Sequence, residues 1–271
     1  MTAIIAAAPN GARLGRQDHP ALPLSTPEIV QACEACVDEG ATMLHLHVRD
    51  RAGRHILDSA AARDLVRAVK ARTGDKALIQ TTTEAVGHYA ASEQMDFLKT
   101  CRPEAASLAW REISRPDLSD RQRAYLLAWC RTERIALQYI LYDAQDVISL
   151  KASIDAGIVP EARPHVLYVI GRYQTAEPAD GRAVAEFIAT GFMPGSWMVC
   201  AFGAAGYQAL TAAALLGGHV RTGFENSLVL ANGNIAADNG AMVGSIRDRL
   251  TELGVTPATA EQCRVTLGGE V

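Results

Sequence analysis

The sequence has no surplus of basic residues: 26 Lys and Arg stand against 30 Asp and Glu, for a net charge of −4. That excludes the cationic footprint with which proteins meet a nucleic-acid backbone, so no nucleic-acid partner is expected. No uncharged apolar run approaches the roughly 20 residues needed to span a bilayer, so no membrane partner is expected either. The opening Met1-Thr2-Ala3-Ile4-Ile5 carries no positive charge and reads as a first strand, not a signal peptide. No linker, low-complexity stretch or block of like charge interrupts the chain, and no segment repeats another. The six cysteines are scattered through a chain too large to need covalent staples. They read as reduced thiols, which places the protein in the cytoplasm. What remains is an ordinary globular composition, 49% hydrophobic and 21% charged over 271 residues. It excludes disorder and sets the expectation of one catalytic domain over 1–271.

Eight short apolar segments read as strands, at 3–8, 43–48, 77–82, 105–109, 135–141, 165–170, 197–202 and 219–223. Several are almost continuously apolar, the pattern of parallel strands covered on both faces. Helical signals fill the intervals. Ser25-Thr26-Pro27-Glu28 offers a cap followed by proline in the first turn, and Gly40 ends that helix. Further helices are expected at 59–73, 92–101, 119–131, 144–156, 181–190, 205–216 and 239–253. Eight strand–helix alternations predict an α/β fold, a single (β/α)8 TIM barrel, with an open doubly wound sheet as the alternative. In a barrel the chemistry lies where strands end and the following loops begin.

One segment stands at such an end: His45-Leu46-His47-Val48-Arg49-Asp50. Alternate residues of a strand share a face, so His45 and His47 point together with Cα atoms about 7 Å apart. Two imidazoles so placed can converge on one ion; the bland reading is two histidines packed in a barrel interior. Glu225, in His219-Val220-Arg221-Thr222-Gly223-Phe224-Glu225-Asn226, opens the loop after the last strand. Two His and one Glu make a known catalytic zinc set with an open position. Glu225 could instead cap a helix or pair with Arg221.

These blocks carry a resemblance that runs from end to end. The chain resembles the β-keto acid cleavage enzymes in Asn10-Gly11-Ala12, in Pro20-x-Leu22-Pro23-x-x-Thr26-Pro27-Glu28, and in Glu39-Gly40-Ala41 leading into His45-x-His47-x-Arg49-Asp50. It does so again in Gly217-Gly218-His219-Val220-Arg221-x-Gly223-Phe224-Glu225-Asn226, with Gly233 and Asn239 continuing the pattern. The resemblance implies a zinc-dependent barrel enzyme, a homotetramer, that condenses a β-keto acid with acetyl-CoA to give acetoacetate and a new acyl-CoA thioester. It implies His45, His47 and Glu225 as Zn2+ ligands, Arg221 as catalytic arginine, and Thr82 and Ser107 as substrate contacts. The ion would act as a Lewis acid towards the enolate, and Arg221 would hold developing negative charge in a fixed fork.

The sequence departs from the family pattern in two places that bear on chemistry. The family's proton-abstracting aspartate falls on Asn226, whose amide cannot accept a proton at neutral pH. Glu112, Asp50, Glu84 or a metal-bound hydroxide are the candidate replacements, with Asn226 orienting the substrate. Arg13 stands where a glutamate matches a substrate ammonium, which predicts a substrate without a distal amine, such as a 3-oxo dicarboxylate or a neutral hydroxylated keto acid. The alternative is that Arg13 pairs with Asp18 or another surface carboxylate. Thr81-Thr82-Thr83-Glu84 also lacks a Gly-Gly pair, so the loop around Thr82 is expected to differ.

Other features read as structural or weak. Cys33-x-x-Cys36 lies in the first helix without a second ligand pair, so structural thiols are expected. Phe202-Gly203-Ala204-Ala205-Gly206 follows strand seven, where barrels often bind phosphate. His165 reads as structural; His19, His55 and His88 fall in loops, His88 being the best site candidate of the three. Competing functions are a metal-dependent hydrolase or aldolase on the same barrel, and a non-catalytic binding protein without metal. The strand-two position of the His pair and the late glutamate argue against the amidohydrolase class.

Overall fold

The computed structural model describes residues 1–171, 180–203 and 205–268. Eight parallel strands close on themselves: β1 (Ile5–Ala7), β2 (Met43–Leu46), β3 (Leu78–Thr82), β4 (Ala105–Ala109), β5 (Ala136–Leu141), β6 (His165–Ile170), β7 (Ser196–Ala201) and β8 (His219–Thr222). Closure is made by β1 against β8, with Ile5, Ala6 and Ala7 opposite Val220, Arg221 and Thr222. That pairing settles the architecture as a (β/α)8 barrel and removes the open sheet. Helices α1 (Thr26–Asp38), α2 (Ser59–Thr73), α3 (Ala91–Cys101), α4 (Asp120–Thr132), α5 (Ala144–Asp155), α6 (Gly181–Ala189), α7 (Gly206–Leu215) and α8 (Asn239–Glu252) follow the strands in turn. None of them is long and apolar enough to cross a membrane.

Local chemistry sets the helix starts. In α1 the Glu28 carboxylate turns back to accept from the Ser25 N–H at 2.9 Å, and Asp58, Ser119, Asp143, Asp180 and Asp238 cap α2, α4, α5, α6 and α8. Outward strand residues such as Ile5, Leu44, Ile79 and Val220 join the apolar stripes of the helices in one continuous layer. Inward residues form a second cluster that holds Ala6, Met43, Leu78, Leu167 and Met198.

Three features were not expected from the sequence. The first strand is cut short at Ile4, whose N–H donates to His219 Nδ1 at 3.2 Å. Thr2–Ala3 then pairs with Thr256–Pro257 outside the barrel. Beyond that pair a C-terminal helix, Ala260–Gly268, lays buried Cys263 and Leu267 into the inner cluster. It closes the floor of the barrel, and Arg264 stitches it there through the carbonyls of Asp75 and Ala77 at 2.9 and 2.8 Å. A single turn, Trp110–Ile113, also follows β4. The six cysteines are free and buried, and burial pushes the Cys33 thiol up to about 12, as befits structural thiols in α1.

Candidate active site

His45 is on β2 and His47 lies one residue past its end, so both project into the upper mouth of the barrel. Glu225 reaches them from the loop after β8. That loop passes close over β1: a Cβ on Gly223, at φ +122, would sit 2.5 Å from the Ala8 carbonyl oxygen. One on Gly11, at φ +54, would sit 2.5 Å from Glu225 Cγ. Glycine at both positions is therefore what admits the carboxylate. Asn239 ties the two loops, accepting from the Phe224 N–H at 2.9 Å and donating to the Pro9 carbonyl at 3.0 Å. Asn10 donates to the His47 carbonyl at 2.9 Å, and Arg49 holds the loop after β1 through the carbonyls of Asn10, Gly11 and Leu14.

The three side chains converge. His45 Nε2 and His47 Nε2 are 3.1 Å apart, and Glu225 Oε2 lies 3.6 Å from the first and 3.3 Å from the second. A tetrahedral ion with bonds of about 2.0–2.2 Å has ligand–ligand edges of roughly 3.3–3.6 Å, so the spacing fits one cation. Protonation agrees with the distances. His45 Nδ1–H donates to Gln80 Oε1 at 2.7 Å, an assignment fixed by Gln80 Nε2 donating onward to Gln138 Oε1 at 3.2 Å. The Nε2 lone pair of His45 is thereby aimed at His47 and Glu225. Burial, then repulsion from Arg221, holds the His45 imidazolium form far below the usual histidine range. Burial would raise the Glu225 carboxyl, but Arg221, His47 and His45 together hold it well below the ordinary carboxylate range. A neutral imidazole and a carboxylate facing one point, with Glu225 Oε2 lacking a hydrogen-bond partner, are a donor set that a divalent cation completes.

Around these atoms is a chamber of about 20 Å³, room for about one water, lined also by Thr82, Glu84, Ser107, Tyr142 and Arg221. Arg221 Nη2 donates to Glu225 Oε1 at 3.0 Å and to Cys200 Sγ at 3.3 Å. Its Nε and Nη1 are buried without a protein partner, as is Ser107 Oγ. Thr82 Oγ1 accepts from the Glu84 N–H at 3.0 Å and sits in register beside Ser107. Glu225 and Phe202 form the boundary with an outer cleft of about 640 Å³ whose walls include Asn10, Arg13, Asn226 and Leu228. Asn226 is buried there with both amide atoms unpartnered.

The candidate proton acceptors separate cleanly. Asp50 is spent on the N–H groups of Ala52 and Arg54 in an exposed turn. Glu112 accepts from Ala85 N–H and Gln94 Nε2 and does not line the chamber. Glu84 does line it, with Oε2 3.8 Å from His47 Nδ1 and Oε1 3.6 Å from the exposed Arg13 guanidinium. Arg13 thus faces Glu84 and not Asp18, which binds the Gly15 N–H. His88 is exposed, and the loop histidine that touches the site is His55, its ring 5.1 Å from that of His47. Ala204, in the glycine-containing loop after β7, lies outside the described residues. The residues that sequence reasoning missed are Tyr142 and the pair Gln80 and Gln138, the partners of the glutamines being set only by the barrel's strand order.

Comparison with known proteins places these features in context. The family described as beta-keto acid cleavage enzyme matches residues 2–268. The chain is 26% identical over 288 residues to the 3-keto-5-aminohexanoate cleavage enzyme of Fusobacterium nucleatum, covering 97% of both chains. It is 27% identical over 275 residues to the 3-oxoadipate:acetyl-CoA acetyltransferase of Cupriavidus necator, covering 98% of this chain and 94% of that one. Among solved structures, the binary complex of ObcA with oxaloacetate superposes with a TM-score of 0.72 at 18% identity, covering 93% of this chain and 68% of that one.

Proposed function

The chain belongs to the β-keto acid cleavage enzyme family, and from that premise we propose that residues 1–271 act as one catalytic barrel that transfers acyl groups between a β-keto acid and acetyl-CoA. The observation that carries this reading is the convergence of His45, His47 and Glu225 beside an arginine with two unpaired, buried N–H-bearing nitrogens. His45, His47 and Glu225 are the residues that would hold Zn2+, a choice supported by the donor set and its spacing. When bound, the ion supplies Lewis-acid polarisation of the keto acid's oxygens. The same two-His-one-carboxylate set suits iron(II), so metal analysis of the purified protein belongs in the test.

The chain's own residues do the rest. Glu84, the acid of the chamber wall beside His47, takes a proton from C2 of the keto acid, and Asn226 orients the substrate. The C2 carbanion attacks the thioester carbonyl of acetyl-CoA and the CoA thiolate leaves. That thiolate then adds to the original 3-keto carbon, the older carbon–carbon bond breaks, and acetoacetate takes up the proton as the new thioester departs. Arg221 stabilises the charge that develops on oxygen, and Thr82 and Ser107 hydrogen-bond the keto acid. The outer cleft accommodates the CoA arm. Arg13 sets the distal preference: a substrate carboxylate displaces Glu84 from it, whereas an ammonium is repelled. We further propose a cytoplasmic homotetramer, the first part resting on the six buried free thiols.

The test is a panel of 3-oxo acids with acetyl-CoA and zinc-loaded protein, following acetoacetate and the new thioester. Turnover of 3-oxoadipate above 5-amino-3-oxohexanoate is expected. Preference for the amine removes the role given to Arg13, and inertness towards the whole panel removes the acyl transfer.

A further inference from the structure

The loop after β2 folds back on itself as a small hairpin. Ile56 N–H donates to the Val48 carbonyl at 3.1 Å and Asp50 N–H to the Arg54 carbonyl at 2.8 Å, across a turn that holds Gly53 at φ +77. The hairpin returns His55 to the side of His47, with the two rings edge to face at 5.1 Å, and buries it. From there His55 Nε2 lies 3.0 Å from the backbone carbonyl oxygen of Glu84, in the loop after β3. A carbonyl only accepts, so this nitrogen carries the hydrogen and donates it. Leu57 N–H donates to Tyr89 Oη at 3.2 Å and ties the same two loops a second time. The backbone around Glu84 is fixed from other sides too. The Glu84 N–H donates to Thr82 Oγ1 at 3.0 Å, the Thr83 carbonyl accepts from Gln94 Nε2 at 2.6 Å, and the Ala85 N–H donates to Glu112 Oε2 at 3.0 Å. Those partners belong to β3, α3 and the turn after β4. His55 comes from the loop that begins with His47, so its bond links the acid of the chamber wall to the metal-binding side.

We propose that His55 is a positioning residue for acyl transfer: by donating to the Glu84 carbonyl it fixes the spacing between the proton-accepting carboxylate and the metal-binding imidazole of His47. The inference rests on the acyl-transfer reading above, with Glu84 as the acceptor. In that step the C–H pair stays on C2 and the proton goes to Glu84, while the keto acid is anchored on the His45 and His47 side. Base and ligand set must therefore keep one separation, and a displacement of roughly 1 Å costs on the order of 10²-fold in rate. Two pulls act on the carboxylate. Its Oε2 stands 3.8 Å from His47 Nδ1, and the exposed Arg13 guanidinium, 3.6 Å from Oε1, draws it outward. The bond from His55 holds the backbone of Glu84 against the second pull. His55 does not line the chamber and exchanges no proton with the substrate, so it acts through Glu84.

The test compares zinc-loaded wild type with His55→Asn, His55→Gln, Glu84→Gln and the double variant His55→Asn/Glu84→Gln on the best 3-oxo acid of the panel. The two amides differ by one methylene: glutamine carries its N–H donor as far as the Glu84 carbonyl, and asparagine stops short. Thermal unfolding and metal analysis check fold and zinc content, and His55→Leu supplies a second donorless variant should His55→Asn not fold. The donorless variants lose about 10–100-fold in kcat with KM for the keto acid little altered. His55→Gln returns to within about threefold of wild type. On the Glu84→Gln background, His55→Asn costs no more than about threefold further, because the clamp acts through that carboxylate. Donorless variants at wild-type kcat overturn the inference, as does a glutamine variant no better than asparagine. A full loss repeated on the Glu84→Gln background overturns it too, since that is damage to the fold and not to the base. A Glu84→Gln enzyme at wild-type kcat removes the base and its positioning together while the acyl transfer stands, whereas an inert wild type removes the acyl transfer itself.

Discussion

At the scale of single residues, the proposed mechanism turns on which acid takes the proton from the substrate. The resemblance puts Asn226 where a family member has its proton-abstracting aspartate, and an amide has no basicity to offer. The chamber nonetheless contains a carboxylate beyond the metal-binding set, because Glu84 lines it with an oxygen 3.8 Å from His47 Nδ1. If Glu84 is the acceptor, Glu84→Gln keeps the shape of the wall and lowers kcat by about 10²–10⁴-fold, the usual worth of a general base. Asn226→Asp then changes kcat by no more than about threefold, since a second acid beside an existing base adds little driving force. Steady-state kinetics on both variants separates the cases. A rise of orders of magnitude in Asn226→Asp would show that the chain lacks an efficient base and that Glu84 is a neighbour only.

Elements show why part of this site was legible in the sequence and part was not. His45 and His47 could be read as converging because strand periodicity is local, and capping residues such as Ser119 and Asp58 mark helix starts within a few residues of themselves. Glu225 was legible only as a residue at the right strand end; the depth to which it reaches depends on Gly11 and Gly223, two loops that meet after closure. Gln80 on β3 and Gln138 on β5, one strand apart across β4, carry no motif at all, because their partners are supplied by strand register; Tyr142, just beyond β5, carries none either. The C-terminal helix was missed for a related reason: its apolar side is short, and the two-residue strand before it has no period to detect. The role of loop packing is testable at Gly11. Alanine there needs a positive φ and places Cβ against the Glu225 side chain, so Glu225 must withdraw. Gly11→Ala is expected to lower zinc affinity by about 10–100-fold, the cost of disturbing a ligand's support. Competition against a chromophoric chelator measures this, and unchanged affinity would mean that the loop yields instead of the carboxylate.

For the whole molecule, the barrel divides into an end that reacts and an end that holds. Above, the strand ends present orphaned polar groups: Arg221 with two unpaired nitrogens, Ser107 with an unpaired hydroxyl, and Asn226 with both amide atoms unmatched. Such groups are costly in a folded core and are retained where a ligand will meet them. Below, the floor is closed by Cys263 and Leu267, buried against Met43, Leu78 and Leu167, with Arg264 satisfying backbone carbonyls at the strand starts. Stability and activity should therefore respond to different ends of the same cylinder. Leu267→Ala empties volume under the inner cluster without approaching the chamber, so it is expected to cost about 2–4 kcal/mol in unfolding free energy. In urea the midpoint falls while the slope is kept, because the native state is no less compact. At 25 °C, well below its unfolding transition, the variant should turn over at the wild-type rate with wild-type zinc content. A parallel fall in kcat would mean instead that packing at the floor sets the spacing of His45, Gln80 and Gln138 through the inner layers, coupling the two ends through the side-chain stack that separates them.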